Sequence, residues 1–148
     1  MVLTFVIHLI QSDVCLITMM IKIPFGNLIF FAKGIAHEYA HCFVNPTIEA
    51  HKYILKNLDT FFKNHKNMPN AYNVDYAVMN EYWVRAFTIR FMEQNQNIFP
   101  DFDITAEYQR QKESFIYIEK FVNLLKHFEQ SELLFEDFYP DVMRNFQH

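Results

Sequence analysis

The feature that most constrains the fold is the pentapeptide His-Glu-Tyr-Ala-His at residues 37–41, an HExxH pattern. An α-helix brings residues four positions apart onto one face, so a helix is the conformation that sets the two imidazoles side by side. The apolar residues of segment 27–44 recur near helical spacing, which supports a buried helix here. These positions are Phe31, Ile35, Cys42 and Phe43, and we interpret Cys42 as a core thiol.

Two histidines at this spacing predict a metal site. His37 and His41 can bind one zinc ion through their ring nitrogens, and Glu38 can act as general base toward a water on that ion. Ordinary core or surface histidines are the less favoured alternative, because polar groups on an apolar helix need a partner. The helix should end soon after the motif, since Asn45 can cap a new helix that starts at Pro46.

A catalytic zinc ion needs three protein ligands, so the chain should supply another one downstream. Glu81 ranks first, because it lies beside the apolar stripe of a predicted helix over residues 74–90. Asp75 ranks second and His51 third. A solvated ion pair between Glu81 and Arg85 stays open as the alternative interpretation. The stripe consists of Val74, Ala77, Val78, Ala86 and Ile89.

Hydrolysis at such a centre also needs a donor that stabilises the developing oxyanion. Tyr82, His51 and Arg85 are the candidates, as they can lie near the cleft. Arg85 has a second interpretation, in which it holds the Glu81 carboxylate in place. Together with Glu38 as base, these residues predict cleavage of a peptide bond by a zinc-activated water.

The residues before the motif favour a small β-hairpin. Segments 2–10 and 14–23 are apolar and rich in β-branched residues, and residues 24–27 carry a turn signal. A degenerate signal or anchor is the alternative. Polar residues or proline interrupt every window long enough to span a bilayer, so we expect no stable membrane insertion, and the compartment stays open. The interrupting residues are Asp13, Lys22 and Pro24.

The residues after the motif predict successive helices. Segment 46–62 presents a core face formed by Ile54, Leu55, Leu58, Phe61 and Phe62. Asp103 or Thr105 opens a long amphipathic helix, and Pro140 breaks a last Phe-rich segment over residues 132–146. The stripe on the long helix, which we interpret as core, is Phe115, Ile118, Phe121, Val122, Leu125 and Phe128.

Composition limits the class of protein. The chain has 148 residues, 51% of them hydrophobic, with 17 Phe and only 2 Gly, so we expect one domain over residues 1–148 with a sizeable core. A net charge of −4 without a Lys/Arg cluster argues against a nucleic-acid partner. The expected partner is a peptide or protein substrate, and the oligomeric state is not predicted.

Two segments carry a family resemblance. His-Glu-Tyr-Ala-His-Cys-Phe-Val-Asn-Pro at 37–46 and Asn-Glu-Tyr-Trp-Val-Arg-Ala at 80–86 resemble the gluzincin branch of the zincin metallopeptidases. More narrowly, they resemble an uncharacterised group of bacterial zincin-like domains that share HExxH-x-F-[VI]-N-P and Glu-x-x-x-Arg-Ala. The resemblance covers roughly residues 30–140. It implies His37 and His41 as zinc ligands, Glu38 as base and Glu81 as third ligand.

The fold implied is α+β but mostly helical. It is a zincin-like domain with a small N-terminal β element and four to five helices, and the metal lies between the HExxH helix and the Glu81 helix. Such domains usually place a larger sheet before the motif, so we expect a domain shortened at its N-terminal end. Two alternatives to a zinc peptidase are open: an inactive zincin-like binding module, motivated by the small sheet, and a metal-free helical interaction protein, motivated by the Phe-rich C-terminal half.

Overall fold

The computed structural model describes residues 25–58, 61–62 and 74–146, apart from the side chains of 25–27 and 57. This part of the chain is mostly helical, as predicted, and contains no strand. The predicted hairpin over residues 2–23 lies outside it. Within it, no helix is both long and apolar enough to cross a membrane. The helices are α1 (Phe25–Ala50), a 3₁₀ helix (Lys52–Asn57), α2 (Asp75–Gln94), α3 (Ile104–Lys112), α4 (Ile118–Gln130) and α5 (Phe135–Arg144).

Helix α1 is longer than predicted at both ends. Residues 25–27 form its first turn, so the turn predicted for them is wrong. The predicted end before Pro46 is also wrong, because the helix continues to Ala50 with Pro46 inside it. The Thr47 hydroxyl donates to the Phe43 carbonyl (2.9 Å), a local bond within the turn that contains the proline. Burial on both sides of Pro46, at Val44 and Ile48, stabilises the continuous helix.

The face that α1 buries differs from the predicted one. Phe31 is 41% exposed and Cys42 is exposed, so the interpretation of Cys42 as a core thiol is wrong. Small side chains dominate the buried stripe, which allows α2 to approach the α1 backbone closely. In the described part of the structure, no other helix covers the opposite face of α1. The buried stripe consists of Leu28, Ala32, Ala36, Ala40, Val44 and Ile48.

Helix α2 forms the centre of the molecule and packs mainly against α1 and α4. It is buried on more than one face, because Met79, Tyr82 and Trp83 are as inaccessible as the predicted stripe. The stripe prediction is confirmed at Val78, Ala86 and Ile89. It is wrong at Val74, which precedes the helix and is 53% exposed.

The C-terminal helices supply an aromatic core. Phe121 stacks on Tyr82, with ring centroids 4.5 Å apart, and contacts Trp83 edge to face. All six members of the predicted stripe are buried, which confirms that it is core. The prediction of one long helix is wrong, since α3 and α4 are separated at residues 113–117. Asp103 caps α3 as predicted, by accepting from the Ala106 amide (2.9 Å).

Two further local predictions need correction. The core face of segment 46–62 is confirmed at Ile54, Leu55, Leu58 and Phe61, but the chain adopts a 3₁₀ helix over Lys52–Asn57 instead of a helix from Pro46. Pro140 does not break the last segment, because it lies buried inside α5. In both places, burial of flanking apolar side chains outweighs the local preference of proline.

Candidate metal centre

Helices α1 and α2 bring His37, His41 and Glu81 together. Each residue offers one ligand atom, and these atoms all lie within 4.8 Å of one another. The two histidines are neighbours because they lie one helical turn apart, whereas Glu81 arrives from a separate helix. The structure therefore assembles the three residues that the sequence ranked first as ligands.

The donor atoms lie near the spacing that a tetrahedral zinc ion requires. His41 Nε2 lies 3.4 Å from Glu81 Oε1, and His37 Nε2 lies 3.9 Å from the other carboxylate oxygen, Oε2. With bonds of ~2.0–2.1 Å, two ligands of a tetrahedral zinc are ~3.4 Å apart. The His41–Glu81 pair matches this distance, whereas the full set, with one donor atom per residue, spans up to 4.8 Å and would have to contract around the ion. Two imidazole nitrogens and a carboxylate oxygen suit zinc, and they also suit iron(II).

Asn45 orients the His41 imidazole. Its side-chain oxygen Oδ1 lies 3.0 Å from His41 Nδ1, on the far side of the ring from Glu81. When Nδ1 donates its proton to Asn45, the lone pair of Nε2 is available for a metal. From the sequence, Asn45 was expected only as a helix cap. The signal for this role was its i+4 spacing from His41 within one continuous helix.

The environment of His37 favours the neutral imidazole. Burial, together with the positive charges of Arg85 and His41, lowers the pKa of His37, although Glu81 acts in the opposite direction. Its ring meets that of His41 edge to face, with centroids 5.1 Å apart. A neutral ring is the form that binds a metal ion, so the ligand is ready near pH 7.

Arg85 forms an ion pair with the Glu81 carboxylate. Glu81 is 8% exposed, and its Oε2 lies 2.9 Å from Arg85 Nε, although the two atoms are not aligned as a hydrogen bond. Arg85 also donates to Gln111 Oε1 (2.9 Å), and its guanidinium carbon lies 4.4 Å above the Phe115 ring. The predicted ion pair therefore exists, but it is not on a solvated face. A carboxylate this buried needs neighbouring cations.

A second buried carboxylate, Glu107 of α3, extends this network to α1. Glu107 is 2% exposed; it accepts from Gln111 Nε2 (2.8 Å) and from Lys33 Nζ (2.7 Å), and it pairs with Arg110. Gln111 thus links Glu107 to Arg85 and so to the candidate ligand Glu81. Glu107 was not predicted from the sequence, because a glutamate in a short polar helix gives no local signal of burial.

Glu38 lies at the solvent side of the cluster. On a helix it is turned ~100° from His37 and ~60° from His41, so it flanks both rings. It is exposed and forms part of the wall of a groove of ≈530 Å³ on the open face of α1. The other residues of this wall are Phe30, Phe31, Gly34, Ile35, Tyr39 and Cys42.

A second cavity of ≈180 Å³ lies on the other side of His37. It shares Phe30 and Gly34 with the groove, so the two spaces adjoin across α1. A Cβ atom at Gly34 would have no atom within 4 Å, which shows how open the helix surface is at this point. The polar residues around this cavity are Lys33, His37, Arg85, Thr88 and Gln111.

Three candidates do not join the cluster. Tyr82 is fully buried, and its hydroxyl accepts from the Tyr117 amide (3.3 Å), so a role as oxyanion donor is not supported. Burial raises the pKa of Tyr82 far above its usual range. His51 lies ten residues after His41, ~15 Å along the axis of α1, and its Nδ1 bonds to the Thr47 carbonyl. Asp75 precedes Glu81 by six residues, which is ~9 Å along α2.

Comparison with known proteins assigns no activity. A family described as a domain of unknown function, DUF4932, matches residues 10–145, a range that includes every residue of the candidate centre. No curated protein and no solved structure matches the chain.

Proposed function

The chain belongs to the DUF4932 domain family, and from the geometry of its side chains we propose that it is a zinc-dependent metallopeptidase. One observation carries this proposal: His37, His41 and Glu81 place three ligand atoms within 4.8 Å, next to the glutamate of an HExxH motif. The same arrangement supports a zincin-like domain of the gluzincin type, in which two motif histidines and a glutamate from a later helix hold the metal.

Each residue has a separate task in this mechanism. A zinc ion held there would supply an acidic water, with a pKa near ~7, and would polarise the scissile carbonyl. Glu38 accepts the proton of the attacking water and delivers it to the leaving amine. Asn45 keeps the His41 ring in the ligating orientation, and Arg85 keeps the Glu81 carboxylate directed at the histidines.

One observation favours a second candidate, a zinc-binding module without hydrolytic activity. Of the three predicted oxyanion donors, Tyr82 lies in the core and His51 is remote, while Arg85 is engaged by Glu81 and Gln111. A metal-free helical interaction protein is less well supported, because the Phe side chains of the C-terminal half that motivated it are buried inside the molecule.

The test compares wild-type protein with Glu38→Gln after both are loaded with zinc. Metal content is measured by elemental mass spectrometry, and cleavage is followed by mass spectrometry on a mixed peptide library. We expect about one zinc ion per chain in both proteins and cleavage by the wild type alone, because Glu38 is a base and not a ligand. Glu49→Gln is the matched control, as Glu49 is an exposed glutamate at the end of the same helix.

The possible results separate the candidates. Stoichiometric zinc in both proteins with no cleavage by the wild type would support the inactive module. Full activity in Glu38→Gln would refute the assignment of Glu38 as base. A folded wild-type chain that binds no zinc would rule out both metal-dependent candidates.

A further inference from the structure

The cavity of ≈180 Å³ beside His37 has basic walls. Lys33 from α1 and Arg85 from α2 both line it, and Gln111 and Thr88 add polar groups. Because His37 belongs to the same wall, a molecule that occupies the cavity also lies against the candidate zinc centre.

The charges around this cavity do not cancel. Lys33 and Arg110 both pair with the buried Glu107, and Arg85 pairs with the buried Glu81. Among the described residues that line the cavity, Lys33 and Arg85 are cations and none is a carboxylate, and a divalent ion in the ligand cluster would add to this positive charge. The lining is therefore basic although the whole chain has a net charge of −4. Such a site attracts anionic groups.

Lys33 is placed to bind an anion. Burial, and then the charges of Arg110 and Arg85, lowers the pKa of Lys33 to about 8. Its side chain is 24% exposed, and its ammonium group carries three N–H donors. An anion that entered the cavity would relieve this unbalanced charge.

We propose that this cavity is a subsite for a carboxylate group of the peptide substrate, an inference that rests on the proposed peptidase function. Lys33 donates to the carboxylate, and Arg85 adds positive charge from the opposite helix.

The distance from the metal cluster decides which carboxylate can reach the subsite. Lys33 lies one helical turn before His37, ~6 Å along the axis of α1. An extended residue spans ~3.5 Å, so a carboxylate one or two residues beyond the scissile carbonyl matches this backbone spacing. A free C-terminus at this distance describes an exopeptidase that releases one or two C-terminal residues. An acidic side chain at the same distance is the other source of the same group.

The experiment measures kcat/KM of zinc-loaded wild-type protein for three N-acetylated tetra-alanine probes. The first has a free C-terminal carboxylate, the second a C-terminal amide, and the third is the amide with Glu as its last residue. We expect the free acid to be cleaved at least ~10-fold faster than the plain amide, because a charge-assisted hydrogen bond is lost in the amide. A Glu-amide that matches or exceeds the acid would support the subsite and identify an acidic side chain as its ligand.

Variants then connect the preference to Lys33. Lys33→Met should reduce the ratio of kcat/KM for the acid to kcat/KM for the amide toward 1. Lys33→Arg, which keeps the positive charge and the pairing with Glu107, should retain the wild-type ratio. Lys52→Met is the matched control, because Lys52 is an exposed lysine in the 3₁₀ helix that follows α1. Circular dichroism and thermal melts establish that each variant is folded. If Lys33→Met does not fold, the comparison of probes on wild-type protein still decides the matter.

The outcomes distinguish this inference from the proposed function. Equal cleavage of all three probes would overturn the subsite and leave the peptidase intact. If no probe is cleaved, binding of the acid and the amide to the zinc-loaded protein is compared by calorimetry. Binding of the acid at least ~10-fold tighter than the amide would support the subsite without peptidase activity. Equal or undetectable binding would overturn it.

Discussion

Replacing Glu81 with Gln should remove most of the zinc affinity. The change keeps the size of the side chain, so the packing of α2 is preserved, but an amide oxygen is a poor zinc ligand compared with a carboxylate. Glu81 lies within the cluster at 3.4 Å from His41 Nε2, so neighbouring donors cannot replace it without a shift of the helices.

The size of the effect follows from the number of ligands. Four-ligand zinc sites have binding free energies of ~10–16 kcal/mol, which average ~2.5–4 kcal/mol per donor. Losing one donor should therefore weaken binding by a factor of about 10²–10³. At a free zinc concentration 100 times the wild-type Kd, zinc stabilises the wild type by about 2.7 kcal/mol. With a 100-fold weaker site the gain falls to about 0.4 kcal/mol.

The assay is thermal unfolding with and without zinc, followed by circular dichroism. For a chain of this size, about 2.7 kcal/mol corresponds to a Tm increase of roughly 5–10 °C, and about 0.4 kcal/mol to roughly 1 °C. Asp75→Asn and His51→Gln are the controls, because each removes a donor that ranked below Glu81 and lies outside the cluster. Both should keep the full zinc-dependent increase.

Two results would refute the assignment of the ligand. One is a Glu81→Gln protein whose zinc-dependent Tm increase equals that of the wild type. The other is a loss of that increase in Asp75→Asn or His51→Gln while Glu81→Gln retains it.

Three further changes test the surrounding structure. Asn45→Ala should weaken zinc binding by about 10- to 100-fold in a competition titration, since His41 loses its orienting partner; unchanged affinity would contradict that role. Gly34→Ala should raise the free energy of unfolding by about 0.8–1 kcal/mol in urea titrations, because a mid-helix methyl group meets no atom within 4 Å; a lower stability would show a clash there. Phe121→Ala should lower it by about 3–5 kcal/mol, as the ring is fully buried between Tyr82 and Trp83, and a loss below ~1 kcal/mol would contradict the packing described.

Several features of the centre could be predicted because they depend on local spacing. Histidines four residues apart share a face on any α-helix, so the pairing of His37 and His41 needed no tertiary information. Glu81 could be ranked first because its helix has an apolar stripe that turns the carboxylate inward. The buried stripe around Phe121 could also be predicted, because its residues recur at helical spacing.

Other features could not be read from local patterns. Pro46 and Pro140 both lie inside helices, since burial of flanking side chains outweighs the cost of proline. Tyr82 was a plausible site residue by its position next to Glu81, yet it points into the aromatic core. The signal that separates the two roles is the direction of each side chain on α2, which changes by ~100° from one residue to the next.

The sequence by itself determined a helix with two adjacent histidines, a neighbouring glutamate and a large aromatic core. Only the tertiary structure decided that the Ala-rich stripe of α1 packs on α2 and leaves its Phe31 and Cys42 face open. The same packing brought Glu81 to the histidines across 40 residues of chain and surrounded it with the Arg85, Gln111 and Glu107 network. The reason is physical: spacing along a helix fixes which residues share a face, but the choice of buried face depends on the summed packing of every helix that meets it.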